Sequence, residues 1–165
     1  MSHHHDDHFE QRDESEAIHV YPRRVGALKK GEYAILKTKP CKIIKIMVSK
    51  NGKHGHAKAV IFGADIFTGK KYEDIHPTSH NIDCPFVKKE DFAVVDIQDD
   101  EICSYMDEEG EILEISLPED EEFVDGLVEA VESCDEADDD KACYIVILRA
   151  MGREKIVDYS IKIDK

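Results

Sequence analysis

The 165-residue chain has no tryptophan and an aromatic share of only 7%. It has no apolar run of the roughly eighteen residues that a membrane-spanning helix needs, so no membrane contact is expected. It lacks a C-x-x-C pair. Its five cysteines, Cys41, Cys84, Cys103, Cys134 and Cys143, are scattered and odd in number. That pattern fits free thiols in a reducing compartment better than a disulfide framework. The opening "MSHHHDDHFEQRDE" has no apolar stretch, so a signal peptide is not expected and a cytoplasmic location is. Residues 1–15 read as a polar tail outside the fold. A hydrophobic share of 41% is still enough for one or two small packed domains.

The net charge of −15 argues at first against nucleic acid, but it is unevenly spread. Residues 15–88 carry fourteen basic and six acidic side chains, net +8. Residues 89–165 carry seven basic and twenty-six acidic ones, net −19. Only the first half is suited to face a polyanion. Arg149, Arg153 and Lys155 are close enough in sequence to build a cationic face within the acidic half.

The basic half reads as short strands: "YAILKT" (Tyr33–Thr38), "CKIIKIMV" (Cys41–Val48), "KAVIFGADIF" (Lys58–Phe67) and "YEDIH" (Tyr72–His76). Regular spacing without a long helical period predicts a small barrel or sandwich. Gly63 inside a strand predicts a bulge or tight bend. The charge sign flips beside Pro85, which predicts a domain boundary between Pro85 and Glu90. The acidic half predicts strands at Asp91–Gln98, Glu101–Asp107 and Glu111–Leu117, joined by links of hairpin length. Phe123, Val124, Leu127, Val128 and Val131 then recur at helical spacing, behind Pro118 and the acidic Glu119–Glu122. Strand patterns return at Ala142–Met151 and Glu154–Ile163. Three strands, a helix and two strands is the order of the oligonucleotide-binding fold.

Between two strands lies "SKNGKHGHAK", Ser49–Lys58, with two glycines, two histidines, three lysines and no carboxylate. Several readings compete. A solvated hairpin loop is the plainest. A phosphate loop is opposed by the missing G-x-x-x-x-G-K-[ST] pattern. A zinc site would draw on His54, His56, His76, His80 and Cys84, but the spacing matches no standard framework and the lysines would repel a dication. A nucleophilic lysine would need burial to lower its pKa, and no catalytic group is expected here. A fifth reading is a cationic probe for RNA. Its cations have no internal partners, its glycines allow close approach, and its imidazoles can stack on nucleotides.

The stretch "NGKHGHAKAVIFGADIFTGKKYEDIHPTSHNIDCP", Asn51–Pro85, resembles the core of the eukaryotic translation initiation factor 5A family. "PCKIIKI" before it and "KKEDFAVVDIQD" after it extend the resemblance. It implies an all-β chain in which an SH3-like barrel, residues 16–88, carries the loop. A five-stranded oligonucleotide-binding barrel with one helix, residues 89–165, follows. It implies that Lys53, between Gly52 and His54, becomes hypusine. Deoxyhypusine synthase transfers an aminobutyl group from spermidine, and deoxyhypusine hydroxylase completes the residue. Lys50, Asn51, Gly52, His54, Gly55, His56 and Lys58 then support modification and tRNA contact. Lys70 and Lys71 are further candidates for RNA contact. The implied partners are the ribosome, through rRNA and ribosomal proteins near the E site, and the P-site peptidyl-tRNA. The implied role is to promote peptide-bond formation at stalled sequences such as proline runs, and to assist termination. No cofactor or metal is expected to be bound. The alternative from another class is a generic RNA-binding or ribosome-associated module that uses Lys53 unmodified. Asn51 stands where threonine is common in that family, and Met47-Val48 replace more polar residues. Neither change removes the lysine or its glycines.

Overall fold

A computed structural model describes residues 19–50, 56–136 and 140–163. The chain divides into two compact units, one of residues 1–87 with 150–152 and one of residues 88–149 with 153–165.

In the first unit, alternating side chains build two sheets around one core. β1 (Val20–Arg24) leads through a 3-10 turn (Val25–Ala27) to β2 (Tyr33–Leu36), β3 (Lys39–Lys50), β4 (Ala57–Asp65), β5 (Lys71–Pro77) and β6 (Asn81–Pro85). β2, β3, β4 and β5 form an antiparallel meander, and β1 pairs with β6 in a separate ribbon. Lys37 and Thr38, at φ 48° and 70°, supply the tight turn between β2 and β3. Along β4, Ala59, Ile61, Gly63 and Asp65 point inward while Lys58, Val60, Phe62 and Ala64 point outward. Leu36, Ile43 and Ile61 are essentially sealed from solvent in the core. Each such side chain contributes about 1.5–3 kcal/mol by leaving water.

Gly63 marks a bulge, but the extra residue lies on the partner strand. Ile43 pairs with Gly63 and Lys45 with Phe62, leaving Ile44 unmatched. Ile43 and Ile46 both belong to the core, whereas Ile44 and Lys45 are both exposed. The glycine is needed for packing. A Cβ there would stand 2.9 Å from Leu36 Cδ1, 2.9 Å from the Lys42 carbonyl oxygen and 3.0 Å from Cys41 Cβ.

In the second unit, β7 (Lys88–Gln98), β8 (Ile102–Met106) and β9 (Ile112–Ser116) precede α1 (Glu121–Glu136), and β10 (Lys141–Ala150) and β11 (Arg153–Ile163) follow it. The sheet order is β11-β10-β7-β8-β9. This is the strand and helix order predicted for an oligonucleotide-binding fold. Asp99 and Asp100, at φ 53° and 55°, make the turn between β7 and β8. The helix begins two residues later than the acidic run suggested. The Asp120 carboxylate accepts the Phe123 N–H at 3.2 Å, so Asp120 closes the N-terminus. Glu121 and Glu122 occupy the first turn, where negative charge favours the helix dipole. Val124, Leu127, Ala130 and Val131 form the buried stripe. No helix among the described residues is long and apolar enough to cross a membrane.

Candidate functional site

Two long paired strands flank the loop segment in the sequence. β3 has twelve residues and β4 nine, and their ladder runs to its last pair, Lys50 with Ala57. The crown, Asn51, Gly52, Lys53, His54 and Gly55, lies outside the described residues. His56, Lys50 and Lys58 are described and exposed at the root. β5 braces that root. Lys58 pairs with Pro77, and both the N–H and the hydroxyl of Thr78 donate to the Ala57 carbonyl, at 3.0 and 3.3 Å. The Thr78 carbonyl in turn accepts the Gly26 N–H at 2.9 Å. The hairpin root is therefore tied to the 3-10 turn.

Lys70 and Lys71 do not join this group. Lys71 opens β5 opposite Ala64, at the end of the strand away from the loop. Six residue steps along the strand separate it from Pro77, about 20 Å at the usual rise. Lys70 Nζ sits 5.5 Å from the centroid of the Tyr72 ring. The turn that holds it is fixed by buried Asp65, whose carboxylate accepts the Phe67 and Thr68 N–H groups at 2.8 and 3.2 Å. Lys42 and Lys45, not among the RNA-contact candidates named from the sequence, lie on the same outward face as Lys58 and Lys71. Gly63 was the signal: its bulge turns Lys45 outward.

Among the described residues no group of three His, Cys, Asp or Glu side chains is placed to hold an ion. His76 Nε2 lies 3.1 Å from Asp74 Oδ2. Burial alone would raise the Asp74 carboxyl. The Lys37 N–H, His76 and the Ile75 N–H outweigh it and hold the group below its ordinary value. Burial pushes the Cys84 thiol up to about 11, and it does the same to Cys41. Neither supplies a thiolate near neutral pH.

In the acidic unit, Arg149 is not a cation open to phosphate. Its guanidinium meets Glu154 at 3.2 Å and Glu90 at 3.4 Å, and it donates to the Tyr105 hydroxyl at 3.1 Å. It also covers the Phe92 ring at 5.3 Å. At Arg149 the cationic face that the spacing allowed gives way to an internal network, because Glu90 of β7 and Glu154 of β11 flank β10 there. Lys162 is likewise paired, with Asp91.

Residues 18–80 match the family described as translation initiation factor 5A-like, N-terminal. Residues 86–160 match the family described as eukaryotic elongation factor 5A hypusine, DNA-binding OB fold. Among curated proteins, eukaryotic translation initiation factor 5A of Drosophila melanogaster is 42% identical over 153 residues, covering 92% of this chain and 91% of the relative. Eukaryotic translation initiation factor 5A-1 of Solanum lycopersicum is 39% identical, covering 90% and 91%. Among solved structures, a translation initiation factor of this family from Naegleria fowleri superposes with a TM-score of 0.74 at 45% identity, covering 86% of this chain and 98% of its own. Eukaryotic translation initiation factor 5A from Methanococcus jannaschii gives a TM-score of 0.64 at 32% identity, covering 86% and 95%.

Proposed function

The chain belongs to the eukaryotic translation initiation factor 5A family, and from that premise we propose that it is a ribosome-bound factor whose working group is Lys53, converted to hypusine. The carrying observation is the braced hairpin. Two long paired strands, with Ala57 tied to Thr78, run to the pair Lys50–Ala57 on either side of the sequence segment Asn51-Gly52-Lys53-His54-Gly55. The surrounding residues 15–88 are net +8, so that end can approach phosphate. In this reading the protein is a positioning factor and not an enzyme.

Deoxyhypusine synthase and deoxyhypusine hydroxylase act on Lys53 in this reading, with spermidine as the aminobutyl donor. The modified side chain is longer and carries a second amine. It reaches phosphate and ribose oxygens from near the E site. Held against the P-site peptidyl-tRNA end, it restricts that end to reactive geometry. Proline is a constrained, poor nucleophile, so it gains most from an orientational barrier being lowered. Bond formation remains the work of the ribosome, in the cytoplasm.

Intact mass of the protein from its native source tests the reading. Hypusine adds about 87 Da, the hydroxylated aminobutyl increment on a lysine amine. An unmodified mass, together with full translation on proline runs, would favour the generic RNA-binding alternative. Lys53→Arg keeps the charge but cannot be modified, and surface substitutions cost within about 0.5 kcal/mol. It should leave the unfolding transition unchanged and fail to support growth. Normal growth on this variant alone would sink the role of the modification.

A further inference from the structure

The outer face of the β3-β4-β5 sheet combines open cations with an apolar strip. Its cross-strand rows follow from the register: Lys42–Ala64–Lys71, Lys45–Phe62–Glu73, Met47–Val60–Ile75 and Ser49–Lys58–Pro77. Four of these side chains are lysines and one is a carboxylate. Lys42, Lys45 and Lys71 form no ion pair among the described residues. The apolar members are unusually open, with Met47 at 50% and Ile75 at 59% exposure, and Ile44 at 42% beside them. A shallow cavity of about 510 Å³ lies over Ile44, Lys45, Phe62, Lys71 and Glu73. Phe62 packs outside the core, and Lys45 Nζ stands over its ring at 6.0 Å. An ammonium can take that position only over a ring face that is open.

We infer that this face is a binding site for an unpaired RNA strand, running along β4 toward the root of the loop. Rows on one sheet face repeat about every 7 Å, so the four rows span about 20 Å, room for a few nucleotides. Lys42 and Lys71 meet a phosphate at one end and Lys58 at the other. A base replaces the Lys45 ammonium over Phe62, and that ammonium moves to the phosphate of the same nucleotide. The Met47–Val60–Ile75 row carries the next base. Charge selects this occupant: the face has four cations against one anion, and it offers a ring face instead of a closed pocket. A duplex would present its phosphates to the lysines but no base to Phe62. The inference rests on the ribosomal reading only for the source of the strand and is independent of Lys53 modification.

The test uses the full, unmodified chain and a fluorescein-labelled hexauridylate, alone and annealed to its complement, with fluorescence anisotropy across a salt series. Lys42→Gln and Lys71→Gln should each flatten the single-strand salt slope by about 0.7. Phe62→Leu should weaken single-strand binding at least about fivefold and leave duplex binding unchanged. Its thermal unfolding is measured beside the wild type. A 4-thiouridine version of the probe should crosslink within residues 42–75, equally in wild type and Lys53→Arg. Three outcomes overturn the inference: no effect of any of the three substitutions, an equal loss on duplex and single strand, or crosslinks confined to other segments. If the substitutions release a ribosomal protein while hexauridylate binding stays intact, the face serves a protein and the inference also falls. None of these failures bears on the mass of Lys53, which separates them from failure of the hypusine reading.

Discussion

Thr78 donates twice to the carbonyl of Ala57, through its N–H at 3.0 Å and its hydroxyl at 3.3 Å. Ala57 is the first residue of β4 after the loop, so this contact fixes the strand at its loop end. Thr78→Val removes only the hydroxyl. It should cost about 0.5–1 kcal/mol in urea unfolding, the net worth of one hydrogen bond. Thr78→Pro removes the backbone donor as well, should cost about 1–3 kcal/mol, and should slow deoxyhypusination of Lys53 more than Thr78→Val does. Equal modification rates for both variants would show that the synthase does not need a fixed root.

Gly63→Ala should be among the most costly small substitutions in the first unit. The added methyl would meet Leu36, the Lys42 carbonyl and Cys41 within 3.0 Å. Two of these are backbone or Cβ atoms that cannot swing aside, so overpacking of about 1–3 kcal/mol is expected. The denaturant midpoint reports it. A change below about 0.5 kcal/mol would mean that the β3 bulge relaxes freely.

Two carboxylates tie stability of the first unit to pH. The Arg23 hydrogen bond at 2.7 Å is the largest cause of the lowered Glu32 value, with the Lys29 N–H adding to it against burial. Asp74 is also lowered, by its N–H and His76 contacts against burial. A carboxylate depressed in the folded state stabilises that state above its unfolded value. The contribution is complete above the ordinary values of 4.5 for Glu32 and 3.8 for Asp74. It is lost as pH falls below them through the folded values. Urea midpoints should therefore drop on acidification into that range. Glu32→Gln and Asp74→Asn should each flatten the drop, and an unchanged pH profile for both would refute the assignment.

Patterns internal to one segment were legible before the structure, and patterns supplied by distant segments were not. Alternation exposed β3, β4 and β7 to β9, and the spacing of Val124, Leu127 and Val131 exposed α1. β1 and β6 were not among the expected strands; "VYPRR" and "NIDCP" are short and each holds a proline, which weakens a strand pattern. They are strands because they pair with each other, Tyr21 with Cys84 and Arg23 with Ile82. Such pairing is tertiary, and local propensity does not report it. Lys53 was proposed from the local Gly52-Lys53-His54-Gly55 motif, which lies outside the described residues. Lys42 and Lys45 were not, since only the register with β4 reveals their common face.

Net charge of a unit and charge available for binding are different quantities, and the two hairpin-root lysines separate them. Lys50 and Lys58 are exposed and have no carboxylate partner among the described residues. Arg149 already faces Glu90 and Glu154, and Lys162 faces Asp91. A cation that is neutralised internally releases no counterion on meeting RNA. Lys50→Gln and Lys58→Gln should therefore each flatten the salt dependence of ribosome binding by roughly one unit. Arg149→Gln should leave that slope unchanged. It should instead destabilise the second unit, because Glu90, Glu154 and the Tyr105 hydroxyl lose a shared partner. Ribosome cosedimentation over a range of potassium concentrations gives the slopes, and thermal unfolding gives the stability. A flattened slope for Arg149→Gln alongside unchanged slopes for the two lysine variants would move the RNA contact to the acidic unit.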